Sequence, residues 1–106
     1  MPKYLIEAAY SAEGLRGLQK DKASGRRQAV VKAVEGLEGK VEAFYFAMGK
    51  RDVIVLAELP DAVTAAALSL TVSASGLARI ATTALLGVED IDRALAKKFT
   101  WRPPGA

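Results

Sequence analysis

Short apolar and aromatic runs alternate along this chain with longer segments whose apolar residues recur every three or four positions, and that change of period sets out the elements. KYLIEAAY at 3–10 is short, apolar and aromatic and stops at Ser11, which predicts a first strand. Ser11 stands ahead of Ala12, Glu13 and Gly14, where its oxygen can accept from first-turn N–H groups, so a helix is predicted to begin there. QKDKASG at 19–25 reads as a kink or loop. Beyond it Val30, Ala33, Val34 and Leu37 share one helical face, and Gly36 and Gly39 weaken and then end the helix.

VEAFYFAM at 41–48 and DVIVLAEL at 52–59 hold the β-branched and aromatic residues that suit a pleated surface. The GKR between them, with Gly49 free to take a positive φ and Asp52 able to bond nearby amides, predicts a hairpin turn. Pro60 then breaks the strand and Asp61 is predicted to cap an Ala-rich helix over 62–75 that is apolar nearly all round, so a second surface is expected to cover it. Gly76 ends that helix. LARIATTALL reads as a fourth strand and VEDIDRALAKKF as a closing helix, with Glu89 and Asp90 at its positive end and Lys97 and Lys98 at its negative end. TWRPPGA is expected to be extended, because Pro103 and Pro104 cannot continue a helix.

Strand, helix, strand, strand, helix, strand is the split βαβ order of an α+β, ferredoxin-like βαββαβ domain, with an antiparallel sheet carrying both main helices on one face. One such domain is expected over 1–96, with 97–106 a C-terminal extended tail. The strands leave the second face apolar: the alternation places Val41, Ala43 and Tyr45 opposite Glu42, Phe44 and Phe46, and Val53, Val55 and Ala57 opposite Ile54 and Leu56. A patch of that kind marks an interaction surface, and the simplest partner is a second copy. A homodimer with sheets packed face to face, a dimeric α/β barrel, is the expected assembly.

The 106 residues suit one domain, and a net charge of +3 with acidic and basic residues interspersed speaks for a solvated surface, with no nucleic acid expected as partner. Cysteine, histidine and asparagine are all absent, which removes thiolate chemistry, the commonest general base and the commonest metal ligands; no cofactor and no metal are expected. The apolar stretch 62–87 is interrupted by Gly76 and Arg79, so no membrane span is expected, and MPKYLIEAAY lacks a secretory pattern. A cytoplasmic location is the default expectation.

Tyr10-Ser11-Ala12-Glu13-Gly14 after the first strand, an arginine at 26 or 27, Tyr45, Gly49 and Asp52 in the hairpin, Glu58-Leu59-Pro60-Asp61 and Thr83 together resemble the GYD family of small domains. The resemblance covers about residues 3 to 92 and implies a ferredoxin-like fold and self-association; it brings no established activity. Arg51 stands where the family is expected to have a tyrosine, so a role resting on that ring is not carried over.

Candidate ligand-binding residues are Tyr10 and Tyr45, which offer a ring and an orienting hydroxyl, Arg27 and Arg51 as anion-recognising guanidiniums, and Asp52 as the carboxylate holding Arg51. Each has a plainer reading as core, turn or surface residue. Arg26 and Arg27 open a helical segment, where a cation is disfavoured, so either a bound anion or salt bridges to Asp21 and Glu58 are expected. Glu7 in mid-strand is either one of a carboxylate pair or half of an Arg–Glu pair, and Trp101 either stacks on a base or docks onto protein. The residues point to a small homo-oligomeric domain that binds an apolar or weakly anionic molecule or serves as an interaction module. The alternative is a cofactor-independent oxygenase or isomerase of the dimeric α/β barrel type.

Overall fold

Four strands and three helices follow in the order β1 (Lys3–Tyr10), α1 (Ala12–Gly36), β2 (Lys40–Phe46), β3 (Val53–Glu58), α2 (Ala62–Ala74), β4 (Ala78–Leu85) and α3 (Val88–Ala96). They are taken from a computed structural model that describes residues 1–106. The strands form one antiparallel sheet ordered β2-β3-β1-β4. Each main helix joins two strands that run the same way and leaves a gap one strand wide: β3 fills the gap between β1 and β2, and β1 the gap between β3 and β4. This is the ferredoxin-like arrangement that the element order predicts.

The helix ends sit where the capping residues place them. The Ser11 hydroxyl accepts the Gly14 N–H at 3.1 Å, and Asp61 accepts from the Thr64 N–H at 2.8 Å and the Thr64 hydroxyl at 2.7 Å. The Thr64 hydroxyl, and then the Thr64 N–H, hold the Asp61 carboxyl below its ordinary value. The kink expected over 19–25 falls at Lys22, whose φ of 66° and ψ of 167° break α1 into two segments. After α1 it is Glu38, at φ 63°, that takes the left-handed position. Gly39 serves another need, since a Cβ there would stand 2.5 Å from the Glu58 carbonyl oxygen.

One sheet face carries Tyr4, Ile6, Val53, Val55 and Ala57, all buried beneath the helices together with Val34, Leu59 and Ala65. Strict alternation holds in β3 and fails in β2, where a bulge between Val41 and Ala43 shifts the register. Val41 therefore packs on the same core as Phe44, instead of sharing a face with Ala43 and Tyr45 as the alternation predicts. The other face presents Leu5, Ile54, Leu56 and Ala81 together with Lys3, Glu7, Glu58, Arg79 and Thr83, so its apolar part is central and charged residues flank it. α1 and α2 both lie over the opposite face.

α2 turns Ala65, Leu68 and Val72 towards the sheet, the residues the spacing leaves over, and in the single chain Val63 and Leu70, expected to face the sheet, are exposed. α3 stops at Ala96, three residues short of its predicted end, and buries none of its residues. The radius of gyration, 17.1 Å, exceeds the roughly 13 Å of a compact chain this long. The exposed surface, 7765 Å², likewise exceeds the roughly 5,700 Å² of a compact 11.2 kDa monomer. No helix is long and apolar enough to cross a membrane.

Candidate functional site

α1 and α2 lie on the sheet with a gap between them, and that gap is a cavity of about 130 Å³. Its floor is Ile6, Ala8, Val53, Val55 and Ile80; its walls are the α1 residues Arg26, Val30 and Val34 and the α2 residues Leu68 and Val72. Thirteen of its fourteen lining residues are hydrophobic, so Arg26 is the single charged group that can recognise a ligand there. Tyr10 lines it as well. A dry apolar cavity of about 150 Å³ takes a benzene-sized molecule, which sets the scale of occupant.

Local chemistry positions both groups. The Tyr10 N–H donates to the Asp52 carboxylate at 2.8 Å, while the Asp52 N–H donates to the Ala8 carbonyl at 2.8 Å, tying the β2–β3 turn to the end of β1. Asp52 is thus a clamp on the Tyr10 backbone. The Tyr10 ring lies beside Gly14, where an added Cβ would stand 3.1 Å from the ring and 1.9 Å from the Leu77 carbonyl oxygen. Arg26 follows the kink by four residues, and its guanidinium pairs with Asp21 at 3.4 Å. That ion pair matches the salt bridge expected from the sequence.

The five candidate residues do not converge on one surface. Tyr10 is in the cavity, with Asp52 behind its backbone; Arg27 lies instead on the flank of α1 among Ser24, Gln28 and Val31. Adjacent residues on a helix point about 100° apart, so Arg26 faces inward where Arg27 does not. Tyr45 is 67% exposed, and its register neighbour across β3 is Ile54 of the open sheet face. Arg51 is half-buried in the turn, and no ion pair joins it to Asp52. The cavity residues that sequence reasoning passed over, chiefly Val30, Leu68 and Ile80, carry only the signal of ordinary core positions.

Glu58 is the other correction. Its partner is Lys3, at 3.5 Å, and not an arginine of α1. Lys3 also donates to Glu42, beside the bulge in β2. That hydrogen bond holds the Glu42 carboxyl below its ordinary value and raises the Lys3 ammonium above its own. No three acidic side chains gather where they could hold a metal ion.

Neither the curated proteins nor the solved structures contain a match to this chain. The GYD domain family model matches residues 4–95, from the start of β1 through α3. That span takes in the sheet, both cavity-forming helices and the hairpin, and the chain belongs to the GYD domain family.

Proposed function

We propose that this protein is a homodimeric binding protein for a compact apolar molecule, held between the sheet and α1 and α2, with Arg26 meeting a weakly anionic group on it. The cavity carries this reading: its wall is hydrophobic apart from one guanidinium, which the Asp21 carboxylate leaves partly exposed. A phenol and a guanidinium orient a ligand. A cofactor-free oxygenase or isomerase would instead need a base within hydrogen-bond reach of its substrate, so the lining supports binding better than turnover.

Self-association is supported by the uncovered face. Only nine of 106 residues are buried in a single copy, while half-buried Leu5, Ile54 and Leu56 share the sheet face turned away from the core. Stacking two such faces would dry them both.

The test is thermal denaturation with a panel of small aromatic and branched-chain carboxylates and their neutral isosteres. A ligand at a hundredfold its Kd adds about 2.7 kcal/mol of stability, a Tm rise of about 10 °C for a domain this size. Ala8→Leu, which fills the floor, should abolish the rise. Arg26→Gln should abolish the preference for carboxylates over isosteres. A panel that shifts wild type and Ala8→Leu equally would refute the cavity as the site.

A further inference from the structure

β4 ends at Leu85, and α3 begins three residues later, pinned at once by the Gly87 N–H donating to the Asp90 carboxylate at 2.8 Å. β4 is an edge strand, so the chain leaves from an edge of the sheet, and α3 buries none of its residues. Along α3, Val88, Ile91 and Leu95 recur at three-and-four spacing, and Phe99 and Trp101 extend the apolar series into the tail. All five are exposed, Val88 and Phe99 to 82%. An amphipathic helix with no covered side is unstable by itself at nine residues, because helix nucleation is unfavourable and its apolar face stays wet.

We propose that α3 and the tail form an arm that packs onto a second copy of this chain, each copy holding the other. The proposal rests on the homodimer inferred above and adds what completes it. Area argues for a second copy as the occupant. The sheet is about 19 Å wide and its six- to eight-residue strands about 20–27 Å long, some 400–500 Å² of projected face, whereas a stable interface covers about 800 Å² per partner. The sheet face alone falls short. The surplus exposed surface of this chain over a compact monomer is about 2,000 Å², enough for the sheet face and the arm together. Length agrees as well: nine helical residues span about 14 Å and the six that follow, before the turn closed by the Ala106 N–H donating to the Pro103 carbonyl, up to about 20 Å, together more than the width of a partner's sheet. Leu85, paired with Lys3 at the end of β1, and Leu86 after it are both exposed on the way to the arm.

Trp101 is the chain's single tryptophan and lies in the arm, which makes its fluorescence a direct reporter. The full chain is diluted from high to low concentration while sedimentation measures the dimer fraction and Trp101 emission is recorded. The expected result is a blue-shifted emission that moves to the red in step with dissociation. Ile91→Glu with Leu95→Glu, both on exposed positions that the single copy does not need for folding, should weaken the dimer on the order of a hundredfold. Asp92→Ala, on the polar side of α3, should leave it unchanged. A dimer whose Trp101 emission stays that of an exposed indole overturns the arm and leaves the stacked sheets standing; a chain monomeric at every concentration overturns both. An emission shifted at all dilutions would mean that the arm folds onto its own body. A shift seen only with anionic vesicles would mean a lipid surface as occupant. Either result overturns the proposal.

Discussion

Replacing Gly14 by alanine should separate space from helix propensity within a single helix. Gly14 sits in the first turn of α1, is buried, and has no positive φ that would call for glycine. What it provides is room: an alanine Cβ would stand 1.9 Å from the Leu77 carbonyl oxygen, and ordinary contact begins at 3.4 Å, so the two must part by about 1.5 Å. That carbonyl accepts the Ser11 N–H at 3.0 Å and the Ser11 hydroxyl at 3.2 Å, which join the start of α1 to the start of β4. Overpacking costs about 1–3 kcal/mol. Two weakened hydrogen bonds add about 1 kcal/mol each, and the better helix propensity of alanine returns about 1 kcal/mol. The net is a loss of about 3 kcal/mol, a Tm lower by more than about 10 °C. Gly17 lies three residues along the same helix with nothing within 4 Å of its added Cβ. Gly17→Ala should therefore stabilise, by about 0.5–1 kcal/mol. Urea unfolding followed by circular dichroism measures both. If Gly14→Ala unfolds no earlier than wild type, the close approach to Leu77 is not a constraint, and the positioning of Tyr10 against that turn loses its basis.

Three further outcomes are expected. Asp52→Ala leaves the Tyr10 N–H without its carboxylate and should lower the unfolding free energy by about 2 kcal/mol, while Asp52→Asn, which keeps an acceptor oxygen, should lose about half of that in the same urea assay. The Asp61 carboxyl, held below its ordinary value of 3.8 by Thr64, stabilises the fold above that pH, and its contribution is lost as pH falls through the lower folded value; Thr64→Val should bring an NMR-monitored Asp61 titration back up towards 3.8. Ile54→Lys, at the middle of the open sheet face, should leave the circular dichroism of the fold intact and yield a monomer by sedimentation; a dimer that survives it would place the interface elsewhere.

Much of this molecule is written locally. Ser11 and Asp61 announce helix starts because a capping oxygen and the N–H it accepts lie three residues apart. The break near Lys22 and the strands follow from short-range periodicity, and their order is enough to name the ferredoxin-like fold, whereas the connection at 47–52 is longer than the predicted GKR turn and leaves Gly49 without a positive φ. Three matters required the third dimension. Whether Arg26 or Arg27 faces the cavity depends on helix phase after the kink, a rotation of about 100° that composition does not encode. Gly14 is tight only because Leu77, 63 residues on, is brought against it, and Asp52 matters because it reaches the backbone of Tyr10 across 42 residues. α3 reads as an ordinary closing helix, and only the folded chain shows that its apolar stripe, Val88, Ile91 and Leu95, stays exposed. Caps and periods act over a few residues and survive in a linear string, whereas a cavity, a clamp or an uncovered face exists only between segments that folding brings together.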